Sequence, residues 1–332
     1  MNRLLGTTVG IITCLLAGSL FAGTLEFKAH VLFTEESGNW AQTGVADIDK
    51  DGRLDFVCGN YDGIYWRRNP GALSGEWTKH AIAASSPADV GGAALDVDGD
   101  GWIDWVSAGL WFKNPGKPTT EPWKEFKYGE PRKDHDVVPL DIDGDGRADV
   151  LRNQDELTQW AKMPPKDQVE GAWTATKIVS GHKDGKLHGA FAPHGWGDID
   201  GDGDLDIVGV QLWFENVDGK GKEWRPREYA AWGKMGLFGW EFRLWVADID
   251  GDGDLDIFIA QNGSGTGNAW LIFENMDGKG RFEKRQVYLG HGTHETLFAD
   301  FDGDGDIDIV GKSWSGPSTF VLLENKLDPR KR

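Results

Sequence analysis

A nine-residue pattern of aspartates and glycine occurs six times along the 332-residue chain. Each copy has Asp at positions 1, 3, 5 and 9 and Gly at position 6, as in residues 300–308. Apolar residues lie before position 1 and after position 9, so the pattern predicts a strand, a tight acidic loop and a second strand. Carboxylates this close together repel one another unless a cation lies among them. Because hard dications prefer oxygen ligands, the pattern predicts calcium sites, up to six in number.

The four aspartates of each copy are the predicted calcium ligands. They are Asp47, Asp49, Asp51 and Asp55; Asp96, Asp98, Asp100 and Asp104; Asp141, Asp143, Asp145 and Asp149; Asp198, Asp200, Asp202 and Asp206; Asp248, Asp250, Asp252 and Asp256; and Asp300, Asp302, Asp304 and Asp308. The formal net charge of the chain is −19, and we interpret much of this acidity as metal ligands. Nucleic acid is a disfavoured partner, because phosphate binding needs clustered Lys and Arg.

The spacing of the copies indicates a repeat architecture. Successive first aspartates are 45 to 57 residues apart, and each repeat contains up to four apolar runs of strand length. The third run ends in Asn in five repeats, and the fourth opens on an aromatic residue. Four short antiparallel strands per roughly 50 residues are typical of a β-propeller blade. We therefore predict an all-β fold, with residues 24–332 forming a single six-bladed β-propeller of four-stranded antiparallel blades.

The two ends of the chain complement each other. The sixth repeat stops after its third strand, whereas residues 27–32 match residues 77–82 of a fourth strand position for position. We expect the N-terminal strand to supply the outer strand of the last blade. This would close the ring and remove its open edges.

Residues 1–23 have the features of a secretory signal peptide. Arg3 precedes a mostly apolar stretch, and small residues follow at 17–19 and 22–23. An uncleaved membrane anchor is the alternative; no other apolar stretch is long enough to span a bilayer. We expect a monomer that is secreted, periplasmic or on the cell surface. After cleavage only Cys58 would remain, and its apolar neighbours predict a core position.

The repeats resemble the FG-GAP or VCBS repeats of secreted and cell-surface propellers, including the integrin α-subunit head. The resemblance rests on Asp-x-Asp-x-Asp-Gly-x-x-Asp flanked by apolar runs, and it covers nearly all of the chain after residue 23. It implies that side chains at positions 1, 3, 5 and 9 bind Ca²⁺ together with the position-7 carbonyl, which in the first loop belongs to Arg53. Family members include adhesion heads, fungal lectins and accessory domains of polysaccharide lyases, so the fold alone does not determine the function.

A second candidate site precedes the first strands, four to seven residues before the first aspartate of a repeat. In a propeller these residues would meet at the mouth of the channel, on the face opposite the calcium loops. The chemically active residues there are His135, Asp136, His194, Glu241, Arg243, His294 and Glu295, with His188 and His291 just upstream. Three interpretations stay open: a catalytic or transition-metal site, carbohydrate binding with Trp40, Trp240, Trp314 and Arg243, and a purely structural role.

The favoured hypothesis is a module that binds a carbohydrate or an extracellular protein without chemistry. The alternative is a polysaccharide lyase or a related sugar-active enzyme. Its candidate catalytic residues would be His135, His194, His294 and Arg243. Their spacing matches no known catalytic signature, and the sequence names no ligand.

Overall fold

The computed structural model is all-β in the residues that it describes. These are residues 27–35, 42–88, 90–132, 134–154, 157–180, 191, 193–230, 242–247, 253–261, 268–290, 294–304, 308–312 and 318–325. They contain strands but no helix, so they include no helical segment that could cross a membrane. The predicted signal peptide lies outside the described residues.

The chain divides into two compact units. We call the first the early unit, which comprises residues 31–184 and 314–320. We call the second the late unit, which comprises residues 1–30, 185–313 and 321–332. The first three acidic loops belong to the early unit and the last three to the late unit.

The early unit contains three four-stranded antiparallel sheets whose strands follow one another in chain order. Their strands are β2 (Gln42–Ala46), β3 (Asp55–Asn60), β4 (Gly63–Arg68) and β5 (Thr78–Ala83); β6 (Ala93–Leu95), β7 (Asp104–Ser107), β8 (Leu110–Lys113) and β9 (Lys124–Lys127); β10 (Asp136–Leu140), β11 (Asp149–Gln154), β12 (Leu157–Lys162) and β13 (Thr174–Ser180). The first strand of the middle sheet, β6, neighbours both β2 and β10.

The fourth and fifth repeats form two similar sheets in the late unit. Their strands are β15 (Trp196–Gly197), β16 (Asp206–Val208), β17 (Leu212–Asn216) and β18 (Trp224–Glu228); β19 (Phe242–Ala247), β20 (Asp256–Gln261), β21 (Asn268–Asn275) and β22 (Phe282–Gly290). A two-residue strand, β14 (Pro193–His194), pairs in parallel with β19. Each of these sheets resembles a propeller blade.

The sheet of the sixth repeat confirms the predicted use of the N-terminal strand. It contains β23 (His294–Ala299), β24 (Asp308–Lys312) and β25 (Ser318–Asn325), followed in space by β1 (Phe27–Glu35). The missing fourth strand therefore comes from the other end of the chain. Closure of six blades into a ring stays a prediction.

Burial follows the order of the strands within a sheet. All residues of β3 and β7 are buried, whereas β9 is mostly exposed. Trp66, Trp105 and Phe112 belong to one core cluster of the early unit. A strand that is covered on both faces needs a continuous apolar run rather than an alternating one. Cys58 is buried in β3, as the sequence predicted.

Candidate metal centres

Each described acidic loop connects the first and second strands of its sheet and folds around its own carboxylates. In the first loop, the two carboxylate oxygens of Asp47 accept hydrogen bonds from the backbone N–H groups of Asp51 (3.0 Å) and Gly52 (2.9 Å). Asp51 Oδ1 in turn accepts the N–H of Arg53 at 3.1 Å. The third and fourth loops repeat all three bonds. Gly52 has a φ of 86°, a left-handed conformation that explains the glycine at position 6.

The aspartate at position 9 anchors the loop to the sheet. Asp104 is fully buried and accepts the N–H of Val97 (3.0 Å) and of Asn114 (2.7 Å). Burial raises the pKa of Asp104 to about 7, and neighbouring aspartates add to the effect. Burial raises the pKa of Asp206 further, to about 8. The raised pKa means that burial destabilises the charged form of the carboxylate. A bound cation would stabilise that charged form.

Carboxylate oxygens converge in five of the described loops. In each group, one ligand atom per residue lies within 4.8 Å of the others: Asp47, Asp49 and Asp55; Asp96, Asp98 and Asp104; Asp141, Asp143 and Asp149; Asp198, Asp200 and Asp206; and Asp300, Asp302 and Asp304. The first four groups join positions 1, 3 and 9, and the last joins positions 1, 3 and 5. Asp248, Asp250 and Asp252 lie outside the described residues.

The donor set fits a hard cation. The Oδ1 atoms of Asp49, Asp143 and Asp200, all at position 3, are buried without a hydrogen-bond partner. All the grouped atoms are carboxylate oxygens, which suit calcium better than the softer transition metals. The clusters can therefore hold metal ions.

The asparagine that ends the third strand joins successive loops. Asn114 Nδ2 donates to Ile103 O of its own loop (3.1 Å) and to Ile48 O of the preceding loop (3.0 Å). Asn275 makes the equivalent bond to Ile199 O at 2.9 Å. The sequence marked this asparagine but not its role. In the third repeat Met163 stands there, and its N–H still donates to Asp149 at 2.9 Å.

Sequence reasoning missed the basic residues that reach into the first three loops. Arg68 bonds to Asp49 Oδ2 (2.5 Å) and Asp51 Oδ2 (2.9 Å). Two lysines do the same in the next repeats: Lys113 pairs with Asp98 and Asp100, and Lys162 with Asp143 and Asp145. Each stands at the end of a third strand, so aligning the repeats on that strand could have revealed them.

His135 and Asp136 belong to a buried polar network in the early unit. Their Nδ1 and Oδ1 atoms are 3.4 Å apart, and Asn153 Nδ2 donates to Asp136 Oδ2 at 2.9 Å. Beside them, buried Asp134 accepts hydrogen bonds from Arg132 (2.5 Å) and Arg152 (2.6 Å). His135 itself is 8% exposed, and its backbone N–H donates to Asn153 O at 2.8 Å.

His194, in the late unit, is surrounded by aromatic rings. Its imidazole centroid lies 4.7 Å from that of Trp245 and 4.4 Å from that of Trp196. Burial lowers the pKa of His194, which favours the neutral imidazole. Because His135 and His194 belong to different units, their convergence at one channel mouth stays a prediction.

The expected position of the other candidates was partly wrong. Asp136, Arg243 and His294 lie within first strands rather than before them. Antiparallel pairing with the second strand extends this far, as in the pair His294 and Lys312. The side chains of Arg243, His294 and Glu295 are not among the described atoms. His188, Glu241, His291, Trp40, Trp240 and Trp314 lie outside the described residues.

Solved structures share this fold at low sequence identity. A lectin of Agrocybe aegerita that recognises non-reducing terminal N-acetylglucosamine aligns over 90% of this chain and 81% of its own, with 19% identity and a TM-score of 0.53. The Photorhabdus luminescens Tc holotoxin pore aligns over 90% of this chain, with 15% identity and a TM-score of 0.51, but this chain spans only 14% of that one. A search of curated proteins found no significant match.

The sequence also matches a family model. The FG-GAP-like repeat matches residues 47–107, 96–151 and 248–311, which together make up about half of the chain. Each matched segment begins at the first aspartate of an acidic loop and ends in the second strand of the next repeat. The loops and the four-stranded sheets described above are the structural form of this repeat, and the chain belongs to the FG-GAP-like repeat family.

Proposed function

We propose that this protein is a secreted, six-bladed propeller that calcium stabilises and that binds carbohydrate. The observation that carries the proposal is the repeated convergence of carboxylate oxygens within 4.8 Å. A propeller made of such loops is a rigid scaffold, and its variable connections can form a binding surface.

Calcium would be held by the aspartates at positions 1, 3, 5 and 9 of each loop. When bound, it neutralises carboxylates that otherwise repel one another. The chain does the rest: position 1 caps the loop, position 9 fixes it to the sheet, and the third-strand asparagine joins it to its neighbour. The cation in this proposal therefore supports stability and not chemistry.

Carbohydrate binding is supported by the fold that this chain shares with the Agrocybe aegerita lectin. The acidic composition fits a neutral or basic ligand better than a polyanion. An extracellular protein is the other ligand class that such a surface could bind.

A glycan array tests this proposal, with the mature protein applied in calcium and in excess chelator. We expect binding to one class of neutral glycan that chelation weakens. The combined variant H135A/H194A/H294A should lose affinity, and a cooperative melting transition in calcium checks that it still folds. If no glycan binds and extracellular proteins do, the carbohydrate proposal is wrong.

The enzymatic alternative is a polysaccharide lyase that uses the same histidines. The neutral imidazole of His194 could act as a base, although the two tryptophans beside it also give it a packing role. Product analysis on the glycans that bind separates the two functions. Cleaved products that disappear in a single histidine variant would support the enzyme, whereas intact glycans would support the binding module.

A further inference from the structure

We infer that Arg68, Lys113 and Lys162 are built-in counter-ions of the first three loops, and that calcium therefore binds first to the loops of the late unit. This inference rests on the proposed calcium function and adds that the loops differ in calcium affinity. It concerns residues that the repeat pattern itself does not include.

The three basic residues occupy one structural position. Each is the last residue of the third strand of its sheet, which is β4, β8 or β12. Each contacts the carboxylates at positions 3 and 5 of its own loop, with Lys113 Nζ 2.8 Å from Asp100 and Lys162 Nζ 2.5 Å from Asp145. In the first loop Arg53, at position 7, also pairs with Asp51. A cation that binds between positions 3 and 5 must compete with these groups.

The same position is acidic in the late unit. Glu215 occupies it in the fourth repeat, and Glu274 and Glu324 occupy it in the fifth and sixth. Glu215 accepts hydrogen bonds from Arg225 (2.8 Å) and Arg227 (2.7 Å), two residues of β18. Among the described residues, no basic side chain forms an ion pair with the aspartates of the fourth loop.

Position 7 amplifies this difference. It is Arg53, Trp102 or Arg147 in the first three loops and Asp204, Asp254 or Asp306 in the last three. The nine loop residues have a formal charge of −2 to −4 in the early loops and of −5 in each late loop. With Arg68, Lys113 or Lys162 included, the early values are between −1 and −3. Calcium affinity rises with the number of charged ligands, so the late loops should bind more tightly.

Loops of both units contain buried carboxylate oxygens without a hydrogen-bond partner, among them Asp143 Oδ1 in the third loop. The fourth loop has two such oxygens. Asp200 Oδ1 and Asp204 Oδ1 are both buried and have no hydrogen-bond partner. In the third loop Lys162 already lies beside the carboxylates of Asp143 and Asp145. The late loop thus lacks the positive charge that the early loop already has.

Calorimetric titration of the calcium-free protein with CaCl₂ tests the inference. The wild type should bind about three ions tightly and the others at least roughly tenfold more weakly. The variant R68Q/K113Q/K162Q should convert the weak class to tight sites, about six in all. The control K79Q/K124Q/K177Q makes the same charge change on fourth strands of the same repeats and should keep the wild-type pattern.

A converse variant keeps the inference testable if the triple variant does not fold. E215K places a lysine where Lys113 stands in the second repeat, and it should remove one tight site, whereas E228K on β18 should remove none. Six equivalent sites in the wild type, or an unchanged pattern in both test variants, would overturn the inference. If the wild type and all variants bind no calcium, the proposed calcium function is wrong as well.

Discussion

The early and late units build their acidic loops on one framework and balance the charge differently. Asp104 and Asp206 are both buried at position 9, and each accepts one N–H from its loop and one from the third strand. The third strand then brings Lys113 to the carboxylates of the early loop, whereas Glu215 at the same position pairs with two arginine side chains of β18. The hydrogen-bonded frame has fixed geometric requirements, whereas charge balance can come from the chain or from a dissolved ion.

Removal of calcium is expected to have the largest effect. Extracellular modules bind calcium with a Kd of about 10⁻⁴–10⁻³ M, and free calcium at one to ten times Kd adds roughly 0.4–1.4 kcal/mol per site. Several sites together should lower the melting temperature by on the order of 10 °C in excess chelator, as measured by scanning calorimetry. Amide exchange after chelation should rise more in residues 198–206 than in residues 47–55. Equal increases in amide exchange in the two loops would contradict the proposed difference between the units.

Substitution of the position-9 aspartate is expected to come next. D104A and D206A each leave two buried N–H groups without an acceptor, which costs roughly 2–5 kcal/mol. In calcium, D206A should be the more damaging, because it also removes a ligand from the tighter site. Urea unfolding with and without chelator measures both variants. A difference between them that persists in chelator would contradict the explanation by calcium.

The third-strand asparagine should have a smaller and equal effect in the two units. N114A and N275A each remove side-chain bonds to their own and to the preceding loop, at a cost of roughly 1–3 kcal/mol. This cost should not depend on calcium, because the asparagine side chains bond to backbone carbonyl groups that are not among the proposed calcium ligands. Urea unfolding that gave clearly unequal losses would show that the frame also differs between the units.

The smallest expected effect concerns His194, which has aromatic neighbours where His135 has a carboxylate. Burial lowers the pKa of His194 below the ordinary 6.5, so the unfolded chain binds this proton more readily. The free energy of unfolding should therefore fall as the pH drops through 6.5 and below. H194Q should make this dependence shallower in chemical denaturation between pH 5.5 and 7.5. An unchanged slope would mean that other groups cause it.

Much of the fold could be read from the chain because its signals are local. The period, the strand order within a repeat and the position of Cys58 follow from runs of adjacent residues. The match between residues 27–32 and 77–82 predicted the shared last sheet, because equivalent strands need equivalent patterns. The boundaries of the first strands were less certain, since Asp136 and His294 pair with partners on the next strand that polarity alone does not reveal.

The candidate site shows the same limit. Position 1 and position 9 of a loop are eight residues apart, so a nine-residue pattern was enough to find the clustered aspartates. Lys162 and Asp143 are 19 residues apart, and Asn275 and Ile199 are 76 residues apart. Such contacts depend on strand register and on the face to which a side chain points.

The sequence by itself determined the acidic loops, the repeat and the all-β class, because each rests on neighbours along the chain. Only the tertiary structure decided which loops already contain a positive charge, because Arg68, Lys113 and Lys162 reach their aspartates across two strands. It also revealed that buried contacts hold His135 and His194. Packing brings together residues that are far apart in the chain. It therefore determines which loops have a basic side chain beside their aspartates.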